Sequence, residues 1–432
     1  MGLTDTPNAN RLHITLFGRR NSGKSSLINA LTGQDIALVS NTPGTTTDLV
    51  SKAMEIQGIG PCLFIDTPGF DDEGELGELR ISRTLKAIEK TDIALLLCED
   101  TTFFHEKEIL ALLKEKNIPV IPVLNKIDIR ENSDHLATYI EEQCKIHPLL
   151  ISAKEKIGIE LIRQAILEKL PSDFGQQSIT GKLVAENDLV LLVMPQDIQA
   201  PKGRLILPQV QTIRELLDKK CLVMNCTTDK FSATLQALAR PPKLIITDSQ
   251  VFKAIYEQKP KESELTSFSV LFAGYKGDIH YYVESAAVIE RLTESSRVLI
   301  AEACTHAPLS EDIGRLKLPR LLRKRIGENL QIDMVAGTDF PQDLTPYSLV
   351  IHCGACMFNR KYVLSRIERA REQHIPMTNY GVAIAFHNGI LDQIKYYKRN
   401  LLFFILKRTP KVLYLTFGVH FIFMLRRPLY IN

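Results

Sequence analysis

The sequence predicts an α/β fold in three units, each built on a mainly parallel sheet. Three observations lead there. Short apolar runs of strand length alternate with helical segments along most of the chain. The first run is followed at once by a glycine-rich loop and a helix. A stretch of linker composition, 171–178, and a charged stretch, 257–264, interrupt the rhythm. At 432 residues, 45% hydrophobic and 24% charged, the chain has the makeup of roughly two to four folded domains. The expected spans are 8–172, 180–260 and 265–392, with a basic, apolar tail over 393–432.

The first unit opens with the apolar run Leu12 to Phe17, the loop Gly18-Arg19-Arg20-Asn21-Ser22-Gly23-Lys24-Ser25 and the helical Ser26 to Leu31. Strand, glycine loop and helix in that order make a phosphate cradle. Backbone N–H groups from Gly18 through Ser26 can surround phosphate oxygens, Lys24 can reach the β/γ-phosphates, and Ser25 can ligate Mg2+. Three further segments each follow an apolar run, where a doubly wound sheet places its ligands. Asp66-Thr67-Pro68-Gly69 offers a carboxylate to the Mg2+ shell and a glycine N–H to a γ-phosphate. Asn125-Lys126-Ile127-Asp128 offers a carboxylate to guanine N1 and N2, which adenine cannot satisfy. Ser152-Ala153-Lys154 can meet guanine O6 through its backbone.

These four motifs predict a P-loop GTPase domain, and the set resembles the translation-factor class of small GTPases, in particular the Era and TrmE branch. By that resemblance Asn21 helps hold K+, and Pro43-Gly44-Thr45-Thr46-Thr47-Asp48 is the first switch, with Thr46 on Mg2+. Lys24, Thr46, Asp66 and Gly69 are then the expected catalytic set for GTP hydrolysis. Thr47 stands where the branch more usually has arginine. Phe70 follows Gly69, where other GTPases carry a glutamine that orients water. Slow basal hydrolysis, aided by K+ or a partner, is expected.

Beyond the first unit, strands are expected at Leu189 to Met194, Cys221 to Met224 and Leu244 to Thr247, with helices at Gln209 to Leu217 and Phe231 to Leu238. A third unit would have strands at Phe268 to Phe272, Val298 to Ala301, Gln331 to Ala336 and Leu349 to Ile351, with helices at Ala286 to Thr293 and Tyr362 to Gln373. Eight cysteines and a short polar lead-in, Met1 to Asn10, point to a reducing cytoplasm and away from a disulfide framework. Cys62, Cys98, Cys144, Cys221 and Cys226 read as core filler.

Net charge is +3, but Lys395, Lys398, Arg399, Lys407, Arg408, Lys411, Arg426 and Arg427 follow the last acidic residue, so residues 1–392 carry about −5. No nucleic-acid partner is therefore expected.

The remaining chemistry lies in Cys304-Thr305-His306 and His352-Cys353-Gly354-Ala355-Cys356, each following an expected strand. In a parallel sheet both would emerge at one carboxyl edge. Three thiolates suit an iron–sulfur cluster or, with His306 or His352, a Cys3His zinc site. Unrelated buried cysteines are the third reading.

A GTPase, a middle unit and a unit bearing Cys-x-His, about forty-five residues, then His-Cys-x-x-Cys resembles the GTPases that mature FeFe-hydrogenases. Tyr275-Lys276-Gly277-Asp278 and Asn379-Tyr380-Gly381 also match that family's loops. The resemblance implies that Cys304, Cys353 and Cys356 hold a 4Fe-4S cluster, with the fourth position open or held weakly by His306, His352 or another labile ligand. It implies a homodimer formed by the middle unit, two radical-SAM maturases and apo-FeFe-hydrogenase as partners, and a diiron cargo with CO and CN− ligands. Two rival expectations are a ribosome- or tRNA-associated GTPase with a zinc appendage and a GTP-switched redox sensor.

The tail departs from the family. Leu401 to Leu406 and Val412 to Leu425 are apolar and flanked by Lys and Arg. The longer run has about 14 residues, short of the ~20 of a spanning helix. A buried or interfacial helix with peripheral membrane contact, or an extension from an altered reading frame, would account for it.

Overall fold

Leu12–Phe17 is apolar enough to be buried on both faces, and it forms the central strand, β1, of the first sheet. A computed structural model of the chain describes residues 6–32, 50–67, 83–100, 103–171, 174–175, 177–196, 205–303 and 313–397. Thr46, Gly69, Phe70, Cys304, His306 and the tail runs lie outside these described residues.

After β1 come α1 (Lys24–Thr32), β2 (Val50–Ile56), β3 (Gly60–Asp66), the helix 83–88 (α2) and β4 (Ile93–Cys98). Next are α3 (Phe104–Glu115), β5 (Val120–Leu124), α4 (Ser133–Cys144), β6 (Leu149–Leu150) and α5 (Ile159–Glu168). The six strands lie in the order β2-β3-β1-β4-β5-β6, with only β2 antiparallel. Cores cover both faces: Leu12, Ile14 and Phe64 lie on one, and Phe17, Leu96 and Leu110 on the other.

The second sheet uses β7 (Leu189–Val193), β8 (Leu222–Cys226), β9 (Leu244–Thr247) and β10 (Glu264–Ser267), all parallel, in the order β10-β9-β7-β8. Helices α6 (Leu207–Asp218), α7 (Phe231–Ala237) and α8 (Phe252–Gln258) connect them. The third sheet is also parallel: β11 (Arg297–Glu302), β12 (Gln331–Ala336), β13 (Leu349–His352) and β14 (Met377–Asn379), in the order β12-β11-β13-β14. Its helices are α11 (Leu318–Ile326), α12 (Arg360–Glu372) and α13 (Tyr380–His387). No described helix is long and apolar enough to cross a membrane.

The expected strand at Phe268 to Phe272 is instead a helix, α9 (Phe268–Lys276). Ser267 ends β10 and accepts the Val270 N–H at 3.2 Å, which starts the helix. Phe268, Leu271, Phe272 and Tyr275 then follow helical spacing onto the second sheet. The next helix, α10 (Ile279–Ala286), passes into a 3-10 turn, Ala287–Arg291, where one helix was expected over Ala286 to Thr293. Because β10 completes the second sheet, that sheet overlaps the start of the span read as the third unit. One buried cluster joins Leu191, Ile245 and Phe252 to Leu299, Val350 and Ile367, so the two sheets share a core.

The lead-in is structured at its end. Asn8–Asn10 forms a 3-10 turn with Ala9 buried, and the His13 ring is bonded through Nε2 to Asn8 O at 2.9 Å. Burial holds the His13 imidazole down at about 4, and the Lys90 and Lys276 cations act in the same direction. The folded protein keeps this ring neutral while the unfolded chain takes up a proton near 6.5. Its contribution is therefore complete above about pH 6.5 and is lost as pH falls toward 4. In urea unfolding of the metal-free chain, His13→Gln should reduce the fall in midpoint between those pH values; an equal fall in both proteins contradicts this assignment.

Candidate functional site

The phosphate loop joins β1 to α1, and its backbone takes left-handed conformations at Asn21 (φ 62°) and Gly23 (φ 89°). At Gly23 a side chain is excluded twice over, because a Cβ would also stand 2.3 Å from Asn125 Nδ2. Lys24 is buried, and its ammonium donates to Gly18 O at 2.9 Å and Arg19 O at 2.7 Å, so the loop's own carbonyls position the cation. Ser25 Oγ donates to Asp66 Oδ2 at 2.7 Å. Burial raises the Asp66 carboxyl, opposed by that bond and by Lys24.

At this site the buried oxygens Asp66 Oδ1 and Ser22 Oγ have no hydrogen-bond partner among the described residues. An unsatisfied carboxylate oxygen beside a serine hydroxyl fits a Mg2+ shell, and an unsatisfied hydroxyl in the loop fits a phosphate.

Asn125 ties the base-reading segments to the loop. Its Nδ2 donates to Ser22 O at 3.0 Å, and its Oδ1 accepts Ala153 N–H at 3.0 Å. Lys126 takes a left-handed conformation and pairs with Glu99 at 3.2 Å. Asp128 is exposed, and a bond from the Ser152 side chain holds its carboxyl below the usual range. Ser152 is fully buried, with Oγ accepting Glu155 N–H at 3.1 Å, whereas Lys154 extends into solvent. Ser26 is exposed on the first turn of α1. The structure thus brings Gly18 to Ser26, Asp66, Asn125 to Asp128 and Ser152 to Lys154 onto one edge of the first sheet.

The second site is set by strand order. In β12-β11-β13-β14 the chain leaves β11 to one side for β12 and returns on the other for β13, so the switch point lies between the carboxyl ends of β11 and β13. Cys353 N–H donates to Ala301 O at 2.9 Å, and Ala303 N–H donates to Cys353 Sγ at 3.0 Å. Ala303 is the last described residue before Cys304.

Ala355, with φ 52°, turns the Cys353–Cys356 loop, and its N–H points at Cys353 Sγ at 3.4 Å. Asn379 Nδ2 holds Cys353 O at 3.3 Å. Asn359 caps α12 just beyond Cys356, presenting the positive end of a thirteen-residue helix to the loop. A half-buried sulfur held by backbone N–H groups beside a helix N-terminus is a placed soft donor. These residues fit a soft metal centre.

His352 does not fit the role of fourth ligand. Its Nδ1 is bonded to Cys353 O at 2.9 Å and its Nε2 to Arg366 at 2.8 Å, so both ring nitrogens are engaged. Burial, then Arg366, pushes the imidazole down to about 3. Glu302, which the sequence reading passed over, is buried at the end of β11 with its carboxylate 3.2 Å from Arg315 Nε and 3.4 Å from Tyr380 Oη. Its position two residues before Cys304 was the available signal. No three His, Cys, Asp or Glu side chains form a metal-sized group among the described residues, which do not include Cys304 or His306. Cys62, Cys98, Cys144 and Cys221 are buried, and Cys226 packs on the shared core.

Three family models match the chain: a 50S ribosome-binding GTPase over residues 13–126, a Hydrogen maturase F dimerization domain over 179–277 and a Hydrogen maturase F tetramerization domain over 280–395. The tRNA modification GTPase MnmE of Dechloromonas aromatica is 40% identical over 159 residues, 36% of this chain and 34% of that protein. GTPase Der of Wolinella succinogenes is 35% identical over 192 residues, 40% of each. The chain thus spans less than half the length of these relatives. The G domain of the T. maritima FeoB iron transporter aligns at 25% identity over 37% of this chain and 98% of that one, with a TM-score of 0.31.

Arg366 supports His352 and the start of the Cys353–Cys356 loop from behind. It is fully buried among the rings of Phe340, Phe358 and Tyr362, at 4.7, 4.6 and 4.6 Å, and it donates to His352 and to Gly337 O. Arg366→Met would leave two buried acceptors unpaired and should cost at least about 2 kcal/mol. Urea unfolding checks this; a change within ~0.5 kcal/mol would contradict it.

Proposed function

The chain belongs to the hydrogen maturase F family of hydrogenase-maturation GTPases, and on that premise we propose that it is a scaffold which holds a 4Fe-4S cluster, accepts a diiron precursor and delivers it to apo-FeFe-hydrogenase. One observation carries the reading: the Cys353 sulfur accepts a hydrogen bond from Ala303, the residue before Cys304, at the switch point of the third sheet. The three thiolates of Cys304, Cys353 and Cys356 would hold the cluster and leave one position for an exchangeable donor. With His352 engaged by Arg366 and Glu302 by Arg315 and Tyr380, His306 or another labile donor is left for that position.

When bound, the cluster supplies an iron site to which cargo can attach without breaking a thiolate bond. The diiron unit with its CO and CN− ligands is the cargo, built with two radical-SAM maturases. The protein's part is to fix the thiolates, exclude competing donors and keep the loop's helix N-terminus facing negative charge.

The GTPase domain hydrolyses GTP to GDP and phosphate in the same reading. Lys24 reaches the β/γ-phosphates, Ser25, Thr46 and Asp66 serve the Mg2+ shell, Gly69 meets the γ-phosphate, and Asp128 selects guanine. With Asn21 placed for K+ and Phe70 beside Gly69, hydrolysis is slow without K+ or a partner.

Self-association is supported by the family's dimerization and tetramerization domains. Strand β8 is the natural dimer edge, because among the described residues it pairs only with β7 and leaves Leu222 and Met224 exposed. The protein is read as cytoplasmic. A ribosome- or tRNA-associated role draws only on the first unit, since residues 179–277 and 280–395 match hydrogenase-maturase domains.

Anaerobic reconstitution tests the proposal. About four iron and four sulfide per chain are expected in the wild type and a large loss in Cys353→Ser, and protein loaded by the maturases should activate apo-hydrogenase. Zinc in place of iron contradicts the cluster, and a cluster without activation of the hydrogenase reduces the protein to a sensor.

A further inference from the structure

The GTPase domain and the cluster loop meet at one buried side chain. Asn359 Nδ2 donates to Lys90 O at 2.8 Å and lies 3.5 Å from Asp92 Oδ2, while Asn359 Oδ1 accepts Tyr362 N–H at 3.2 Å. Its oxygen thus caps α12, and its nitrogen grips the GTPase domain. The side chain is only 4% exposed and lies three residues beyond Cys356.

Neighbouring contacts reinforce this joint. Lys90 Nζ sits 5.2 Å above the Tyr362 ring, Arg369 pairs with Glu89, and Lys361 donates to Lys116 O at 2.9 Å. Glu89 and Lys90 directly follow α2, the first described element after Asp66 and Thr67. Asp92 Oδ2 also accepts His13 N–H at 2.9 Å near the start of β1, the strand that ends at the phosphate loop.

A second clasp lies beside the first. Lys276, 3% exposed at the end of α9, donates to Ala9 O at 2.9 Å and Asn10 Oδ1 at 3.1 Å, both ahead of β1. Arg360, the first residue of α12, donates to Tyr275 O at 2.8 Å and Gly277 O at 3.2 Å on either side of that lysine. The helix that follows the Cys353–Cys356 loop and its neighbour α9 therefore contact the segments leading into β1 and β4, at the sheet edge opposite the nucleotide motifs, and β1 runs from that joint to the phosphate loop.

We propose that Asn359 is a positioning residue that couples the nucleotide state of the GTPase domain to the geometry of the Cys353–Cys356 loop, so that GTP alters access of an outside ligand to the cluster. This rests on the cluster reading above. Because coupling of binding free energies is reciprocal, binding of that ligand must change the ratio of GTP to GDP affinity by the same factor that exchanging GDP for GTP changes the affinity for the ligand.

Asn359→Asp separates the joint from the fold. Aspartate keeps an oxygen for the helix cap but cannot donate to Lys90 O, and it sets a second carboxylate beside Asp92. The probes are imidazole, titrated onto the reduced cluster of the full-length protein by EPR, and a nonhydrolysable GTP analogue. In the wild type, imidazole affinity should differ between the GDP and analogue states by about five-fold or more. In Asn359→Asp the difference should fall below about two-fold, while helix content and GTP hydrolysis by the cluster-free chain stay unchanged. An equal nucleotide effect in both proteins, or none in a cluster-bearing wild type, overturns the proposal.

Amide hydrogen exchange over residues 357–366 of the cluster-free chain reads the joint without metal. Protection that responds to the GTP analogue in the wild type and not in Asn359→Asp supports the coupling; identical responses overturn it. Failure of the wild type to take up iron would instead sink the cluster reading, and the coupling to a cluster with it.

Discussion

The parallel pairing of β11 with β13 is the constraint on which the cluster reading depends. Val298 to Ala301 lie opposite Leu349 to His352, so both strands end at one edge of the sheet. The next backbone bond, Cys353 N–H to Ala301 O, extends that pairing into the loop, and Ala303 N–H then reaches Cys353 Sγ. Two segments about fifty residues apart in sequence are thereby held within hydrogen-bond distance by strand pairing. The loop needs little rigidity of its own. Ala355 supplies the turn, Asn379 holds the Cys353 carbonyl, and Arg366 fills the space behind His352 with a cation solvated by aromatic faces and a carbonyl.

The same packing explains why the second and third sheets act as one body. Helices α9, α10 and α13 lie between them, and the buried cluster runs from Leu191 to Ile367 without a break. Gly381 allows the close approach: a Cβ there would stand 2.7 Å from Ser269 Cβ and 2.9 Å from Ser249 Oγ. The GTPase domain is joined differently, mainly through polar contacts of its own edge with α9 and α12. A polar joint of this kind can change partners at lower cost than an apolar core, which makes it suited to carry a nucleotide signal.

Much of the phosphate site was legible because its motifs are short and each follows its own strand. Leu12 to Phe17, Leu244 to Thr247 and Gln331 to Ala336 were readable as strands with the observed bounds. Phe268 to Phe272 was not, since five residues of apolar character fit a buried strand as well as a helix, and the decision rests on the Ser267 cap. The approach of Ala303, the last described residue before Cys304, to Cys353 followed from expecting a parallel sheet. His352 misled for the opposite reason: its neighbours in sequence suggested a ligand, while its partner, Arg366, sits in a stretch that reads as an ordinary charged helix. Asn359 and Lys276 were illegible as joints because their partners lie more than 260 residues away.

Mössbauer spectroscopy of the full-length protein reconstituted with 57Fe tests the central claim most directly. Three protein thiolates and one exchangeable position require one iron of the four to differ from the rest, and to change its parameters when a strong external ligand is added. A cluster whose four irons all resist such a ligand, or a protein that binds no iron when sulfide and iron are supplied, would contradict the account.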